Sequence, residues 1–123
     1  MENPFKKHFY VIGKEKYLQG DSPDVKCILC GIVENDSKVK SLKLLESKYH
    51  LIVLNIYPYA SGHLMIFPKR HITKMKNYKK VEWIELHTLL NRSMEIIGRE
   101  YKTNSFNIGW NIGPYSGGSV EHI

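Results

Sequence analysis

The sequence predicts a single α+β domain in which an antiparallel sheet carries one long helix. Three observations predict it. Two short apolar runs, Leu51-Ile52-Val53-Leu54 and Leu64-Met65-Ile66-Phe67, flank a turn rich in proline and glycine. From Tyr78 to Tyr101 the apolar residues change to three- and four-residue steps. The 123 residues hold no repeat, low-complexity tract or internal boundary, so one modest core is the expectation.

Taken in order, residues 1–26 have no clean period and contain Gly20-Asp21-Ser22-Pro23-Asp24, which reads as an irregular lead-in. Ser41 to Glu46 forms a weak element, either an edge strand or a short turn of helix. Leu51 to Asn55 is a strand, rich in β-branched residues and ended by the turn Tyr57-Pro58-Tyr59-Ala60-Ser61-Gly62. His63 to Phe67 is a second strand that stops at Pro68. A short connection between two apolar strands makes them an antiparallel pair.

The helix should span Tyr78 to Tyr101, with Asn77 as its N-cap. Ile84, His87, Leu90, Met94, Ile97 and Tyr101 would form its apolar stripe. A last strand, Ser105 to Asn111, leads into the loop Gly113-Pro114-Tyr115-Ser116-Gly117-Gly118-Ser119. His122-Ile123 then opens a further strand.

Composition narrows the class. At 42% hydrophobic and 24% charged residues the chain reads as a soluble globular protein. No apolar run approaches membrane-spanning length, and the lysine-rich start lacks a signal-peptide core, so no membrane partner and a cytoplasmic location are expected. The net charge of +6 favours an anionic partner. The run Lys74, Lys76, Lys79 and Lys80 reads as a solvated helix start. Aromatics do not interleave with it as a stacking platform requires, so nucleic acid is not an expected partner. Cys27 and Cys30 stand in Cys-Ile-Leu-Cys, a spacing that suggests a metal site or a redox pair rather than a structural disulfide.

The stretch from Asn55 to His71, Asn-Ile-Tyr-Pro-Tyr-Ala-Ser-Gly-His-Leu-Met-Ile-Phe-Pro-Lys-Arg-His, resembles the nucleotide-pocket segment of the histidine triad (HIT) superfamily. Asn107-Ile108-Gly109-Trp110-Asn111-Ile112-Gly113, with Gly117-Gly118-Ser119-Val120-Glu121-His122, is similar to the run into the triad. The Asn-x-Tyr-Pro-Tyr stretch and the Gly-Trp-Asn segment most resemble the branch that hydrolyses or phosphorolyses diadenosine polyphosphates. The resemblance covers residues 27–123 and implies a HIT-like α+β domain there, commonly a homodimer. The family signature is His-φ-His-φ-His-φ-φ, with φ apolar. His122-Ile123 fills its first two positions, so the triad strand is cut short at Ile123. The nucleophile, the second histidine, falls immediately beyond. A tail after Ile123 that completes the triad is the expectation.

The resemblance implies attack of an imidazole on the α-phosphate of a dinucleoside polyphosphate or related nucleotide, through a nucleotidyl-histidine intermediate. Gly117 and Gly118 would cradle the phosphate with backbone N–H groups, Ser119 would contact the phosphate or its leaving oxygen, and Asn111 would contact the phosphate. Asn55 would bind the ribose. Gly62 and His63 would also bind the nucleotide, His63 beside the triad, and His63, Ser119 and His122 would form the catalytic set. Zinc is the implied cofactor, held by Cys27, Cys30, His71 and His122 in a closed Cys2His2 site. The alternative is a nucleotide- and zinc-binding protein without chemistry. His8, His50 and His87 match nothing and read as surface, strand-edge and helix-face residues.

Overall fold

The structure is a computed structural model and describes residues 25–54, 62–116 and 122–123. A short helix α1 (Ile28–Val33) is followed by β1 (Leu42–Glu46), β2 (His50–Leu54) and β3 (Leu64–Pro68). A 3-10 turn at Met75–Asn77 precedes the long helix α2 (Lys80–Tyr101), and a second such turn spans Pro114–Ser116. The strands form an antiparallel sheet in the order β1-β2-β3. The expected α+β architecture is present. The element from Ser41 to Glu46 resolves as an edge strand, β1.

The continuous apolar run of β2 follows from cover on both faces. Leu51 and Val53 point to one side, where Phe67 joins Leu29 and Ile32 of α1 in a first core. His50 points to the other side, toward Glu85 of α2. On that side a second core gathers Ile72, Tyr78 and Leu86, with Ile66, Leu90 and Ile123 packed against it. The register His50↔Pro68, Leu51↔Phe67, Ile52↔Ile66 keeps the two sets apart, because successive side chains alternate faces. Full burial of one such side chain stabilises the fold by about 1.5–3 kcal/mol.

The structure corrects four expectations. Asn77 does not cap α2; it lies in the 3-10 turn, and Lys79 occupies the cap position. The reason is Glu82, whose Oε1 accepts the Lys79 N–H at 2.8 Å and does the work a capping side chain would do. The expected stripe is packed only in part: Leu90 meets the second core and Met94 and Ile97 are half-buried. Glu82 and Leu86 are buried, whereas His87 is exposed and Ile84 and Tyr101 are 59% and 52% exposed. The packed line begins with a glutamate, which periodicity counts as polar, while Arg70 Nη2 donates to it at 2.8 Å.

The third correction concerns Ser105 to Asn111, which is not a strand. A strand needs a neighbour to accept its N–H groups, and none of the described strands pairs with this segment. His50 stands at a strand edge as expected, since it opens β2. It is fully buried, donates from Nδ1 to Glu85 at 2.8 Å and accepts at Nε2 from the Tyr78 hydroxyl at 2.6 Å. Fourth, the two matched strands sit one residue off: β2 begins at His50, and Pro68 is the last residue of β3. A proline is tolerated there because no described strand lies on the other side of β3.

Candidate metal centre

Cys27 stands at the N-cap of α1 with extended backbone angles (φ −147°, ψ 121°), and its Sγ accepts the Cys30 N–H at 3.5 Å. Residues three apart on a helical turn share one face, so the Cys-x-x-Cys spacing presents both thiols together. His71 follows the end of β3, three residues after Pro68. His122 is buried, with its ring edge against Phe67. The four candidate ligand atoms lie within 4.8 Å of one another.

His122 Nδ1 is 3.5 Å from both sulfurs, and Cys30 Sγ is 3.2 Å from His71 Nδ1. Bonds of about 2.3 Å to sulfur and 2.05 Å to nitrogen at tetrahedral angles set an S···N edge of about 3.6 Å. Three S···N separations of 3.2–3.5 Å lie close to that edge, so two thiols and two imidazoles here suit a four-coordinate ion. His122 Nε2–H donates to the Pro68 carbonyl at 2.7 Å. That bond leaves the Nδ1 lone pair facing the cysteines, the outer-shell arrangement that orients a metal-binding imidazole. The adjoining backbone is fixed as well, since the Ile123 N–H donates to the Ile72 carbonyl at 2.8 Å.

Electrostatics agree with this use. Burial holds the His122 pKa below the usual histidine value; the Pro68 hydrogen bond opposes the shift and the nearby His71 adds to it. A lowered value keeps the imidazole neutral, which is the ligand form. Without a metal, burial and the hydrogen bond to Cys27 push the Cys30 thiol up to about 11. A bound cation inverts that preference, because a coordinating thiol is deprotonated outright. An exposed His71 leaves one side of the cluster open to solvent.

The other expected site residues are placed less completely. Gly62 and His63 precede β3, at the end opposite Pro68, about 17 Å away along the strand. Burial lowers the His63 pKa below the usual histidine range. Gly62 has φ +79°, and a Cβ built there would lie 2.9 Å from Tyr101 Cε2. Asn111 is exposed in the segment after α2. Asn55, Gly117, Gly118 and Ser119 lie outside the described residues. A cavity of about 180 Å³ lined by Lys48, Tyr49, Lys69, Arg70, Lys79 and Glu82 includes none of the candidate residues.

Sequence reasoning missed three contributors. The Pro68 carbonyl, as a backbone acceptor, leaves no side-chain signal. Tyr101 read as part of a stripe, whereas its ring rests on Gly62. The polar set around His50 left only a weak cue, a histidine opening an otherwise apolar strand. In it Glu85 accepts from His50, from the Ser47 hydroxyl and from the Tyr49 N–H, tying β2 to α2. None of the described helices is long and apolar enough to cross a membrane.

Comparison with known proteins extends these observations. An AP-4-A phosphorylase from Mycobacterium tuberculosis is 33% identical over 88 residues, covering 71% of this chain and 45% of its own length. Adenosine 5'-monophosphoramidase HNT1 from Saccharomyces cerevisiae is 30% identical over 100 residues, covering 81% of this chain and 60% of its own. The chain thus spans roughly half the length of the relatives it matches. A solved Zn-bound histidine triad family protein from Mycobacterium smegmatis shares the fold with a TM-score of 0.69, at 22% identity over 79% of this chain and 69% of that one. The family model for the HIT domain matches residues 36–123, beginning after both cysteines. With that match over most of its length and this fold, the chain belongs to the HIT domain family.

Proposed function

We propose that the chain is the nucleotide-binding part of an enzyme that attacks the α-phosphate of a dinucleoside polyphosphate, or a related nucleotide, through a histidine nucleophile. The observation that carries this reading is the placement of His122. Both of its ring nitrogens are engaged, one by the Pro68 carbonyl and the other toward the two thiols. His122 therefore acts as a positioning residue and ligand, and the attacking imidazole is a histidine just beyond Ile123. The outer edge of β3 has no partner among the described strands. A strand continuing from Ile123 along that edge would run toward His63 and carry the nucleophile with it.

In this reading residues 27–123 form the HIT-like unit. Gly117, Gly118 and Ser119 supply donors to the phosphoryl oxygens, Asn111 adds an amide, and Asn55 with Gly62 holds the sugar. His63 stands beside the triad in the catalytic set, and burial lowers its pKa below the usual histidine value. Zinc occupies the Cys27, Cys30, His71 and His122 set in a structural role, clamping the start of α1 to the segment that leads into the triad. Cysteines used as reduced ligands accord with a cytoplasmic location. The names of the M. tuberculosis and S. cerevisiae relatives support nucleotide chemistry.

A homodimer belongs to the same reading. Val81, Ile84 and Ile96 of α2 and Ile108, Trp110 and Ile112 of the following segment are all exposed. Trp83 and Trp110 join the two groups, with ring centroids 6.1 Å apart. An apolar surface of this kind marks an interface, and a second copy would cover it.

The test is to incubate the full-length protein with diadenosine tetraphosphate and examine it by mass spectrometry. Expected are an adenylylated histidine and release of ATP; AMP then forms if water is the acceptor and ADP if phosphate is. Nucleotide binding with neither adduct nor product would support the non-catalytic alternative. No binding and no turnover would defeat the reading.

A further inference from the structure

We propose that Cys27 and Cys30 are a reversible oxidation site, at which disulfide formation ejects the ion they hold together with His71 and His122. The inference rests on the zinc reading above. Both thiols are free and only partly buried, so a small oxidant reaches them. Their sulfurs are within 4.8 Å of each other. Side-chain rotation closes that gap to the bond length of about 2.05 Å.

The chemistry balances with a peroxide as the named oxidant. One zinc-bound thiolate attacks hydrogen peroxide and becomes a sulfenic acid, breaking the O–O bond. The second thiolate displaces the sulfenic oxygen and forms the S–S bond. Two thiolates and two protons are consumed with one peroxide, giving one disulfide and two waters. Each sulfur gives up one electron, and Zn2+ leaves unchanged in oxidation state because two neutral imidazoles alone hold it poorly.

The structural effect follows from which residues each link joins. The tetrahedral site ties α1 to His122, 92 positions from Cys30 and 95 from Cys27, and to His71, 41 positions from Cys30. The disulfide joins two residues three apart on one turn and constrains nothing outside α1. Oxidation therefore keeps the cysteines linked to each other while freeing His71 and His122 from them. His122 then keeps the Pro68 carbonyl, the Phe67 ring and the neighbouring Ile123–Ile72 backbone bond, but it loses its link to the cysteines, so its hold on α1 loosens.

The experiment uses zinc-loaded full-length protein treated with hydrogen peroxide. Zinc release is followed with a chromogenic indicator, and intact mass and peptide mapping are read in parallel. Expected are one zinc released per chain, loss of two hydrogens, a Cys27–Cys30 peptide crosslink, and full reversal by dithiothreitol with added zinc. Cys30→His keeps four ligands without a second thiol and should retain zinc at the same dose. Should that variant fail to load, mapping of the wild-type protein still decides. Retention of zinc, or its loss through sulfinic acids that dithiothreitol does not reverse, would overturn the inference and leave the zinc reading standing. A reduced protein that takes up no zinc would defeat the zinc reading itself, and this inference with it.

Discussion

The His122 imidazole hangs from the Pro68 carbonyl by a 2.7 Å hydrogen bond, and that bond turns its other nitrogen onto Cys27 and Cys30. A backbone group at the end of β3 thus selects the tautomer of a side chain 54 positions later. The same alignment places Ile123 in the second core while His122 meets the first, through Phe67.

Removing one donor should therefore be felt at once in metal affinity. Cys30→Ser is expected to weaken zinc binding by more than the about 10- to 100-fold that outer-shell changes cost. Competition against a chromophoric chelator measures it. Chelation of the wild-type protein should lower its melting temperature, and the serine variant should show little further change.

The polar set under α2 makes a separate prediction. Glu85→Ala leaves the His50 Nδ1–H and the Tyr49 N–H without their acceptor. Each abandoned buried donor costs about 1–3 kcal/mol, so a loss of about 3 kcal/mol in denaturant unfolding is expected. A loss below about 0.5 kcal/mol would mean water replaces the carboxylate at no cost.

Acid stability depends on the same groups. Burial alone would raise the pKa values of Glu82 and Glu85, but hydrogen bonds outweigh it and hold both below the usual glutamate value. For Glu82 the donors are Arg70 and the Lys79 N–H; for Glu85 they are Ser47, His50 and the Tyr49 N–H. A depressed carboxylate contributes stability that is fully present above its unfolded value, near about pH 4.3. That contribution drains away as the pH falls through the lower folded value. Unfolding free energy should decline on acidification below about pH 4.3, and Glu85→Gln should flatten the slope.

Gly62 should tolerate no side chain. Its φ of +79° is strained for any L-residue, and an added Cβ would meet the Tyr101 ring at 2.9 Å. Gly62→Ala is expected to cost about 1–2 kcal/mol for the backbone alone, with the ring contact added to it. The pair Gly62→Ala with Tyr101→Ala should recover only the contact part, which a double-mutant cycle of unfolding free energies isolates.

The exposed apolar surface predicts self-association. Trp110→Asp should raise the dimer dissociation constant at least about tenfold, a change of 1.4 kcal/mol, as read by sedimentation equilibrium. A wild-type protein that sediments as a monomer at micromolar concentration would remove the dimer from the proposal.

Much of the fold was legible in the sequence because local pattern and tertiary cover agree in β2 and β3, and over part of α2. The runs Leu51 to Leu54 and Leu64 to Phe67 are apolar enough to mark strands whatever lies against them. Cys27 and Cys30 stood out by their spacing, whereas His71 and His122 joined them only through the family resemblance; the fold brings the four together. What escaped depends on partners distant in the chain. Glu82 reads as polar until Arg70 is placed beside it, and nothing marks His50, read at a strand edge, as buried until Glu85 and Tyr78 close over it. Ser105 to Asn111 has a strand's composition, but hydrogen bonds to a neighbour are what make a strand.

The spread of the four ligands along the chain also orders their assembly in time. Cys27 and Cys30 sit one turn apart and can meet an ion while the rest of the polypeptide is still unfolded. His71 lies 41 positions from Cys30, and His122 lies 92 positions from it. Closing loops of that length is entropically costly before native contacts repay it. An ion caught early by the thiols would complete its shell only when the two ends of the domain meet. Its final coordination would therefore act as a clock for folding, recording the moment at which β3, α1 and the residues after the glycine loop first come together.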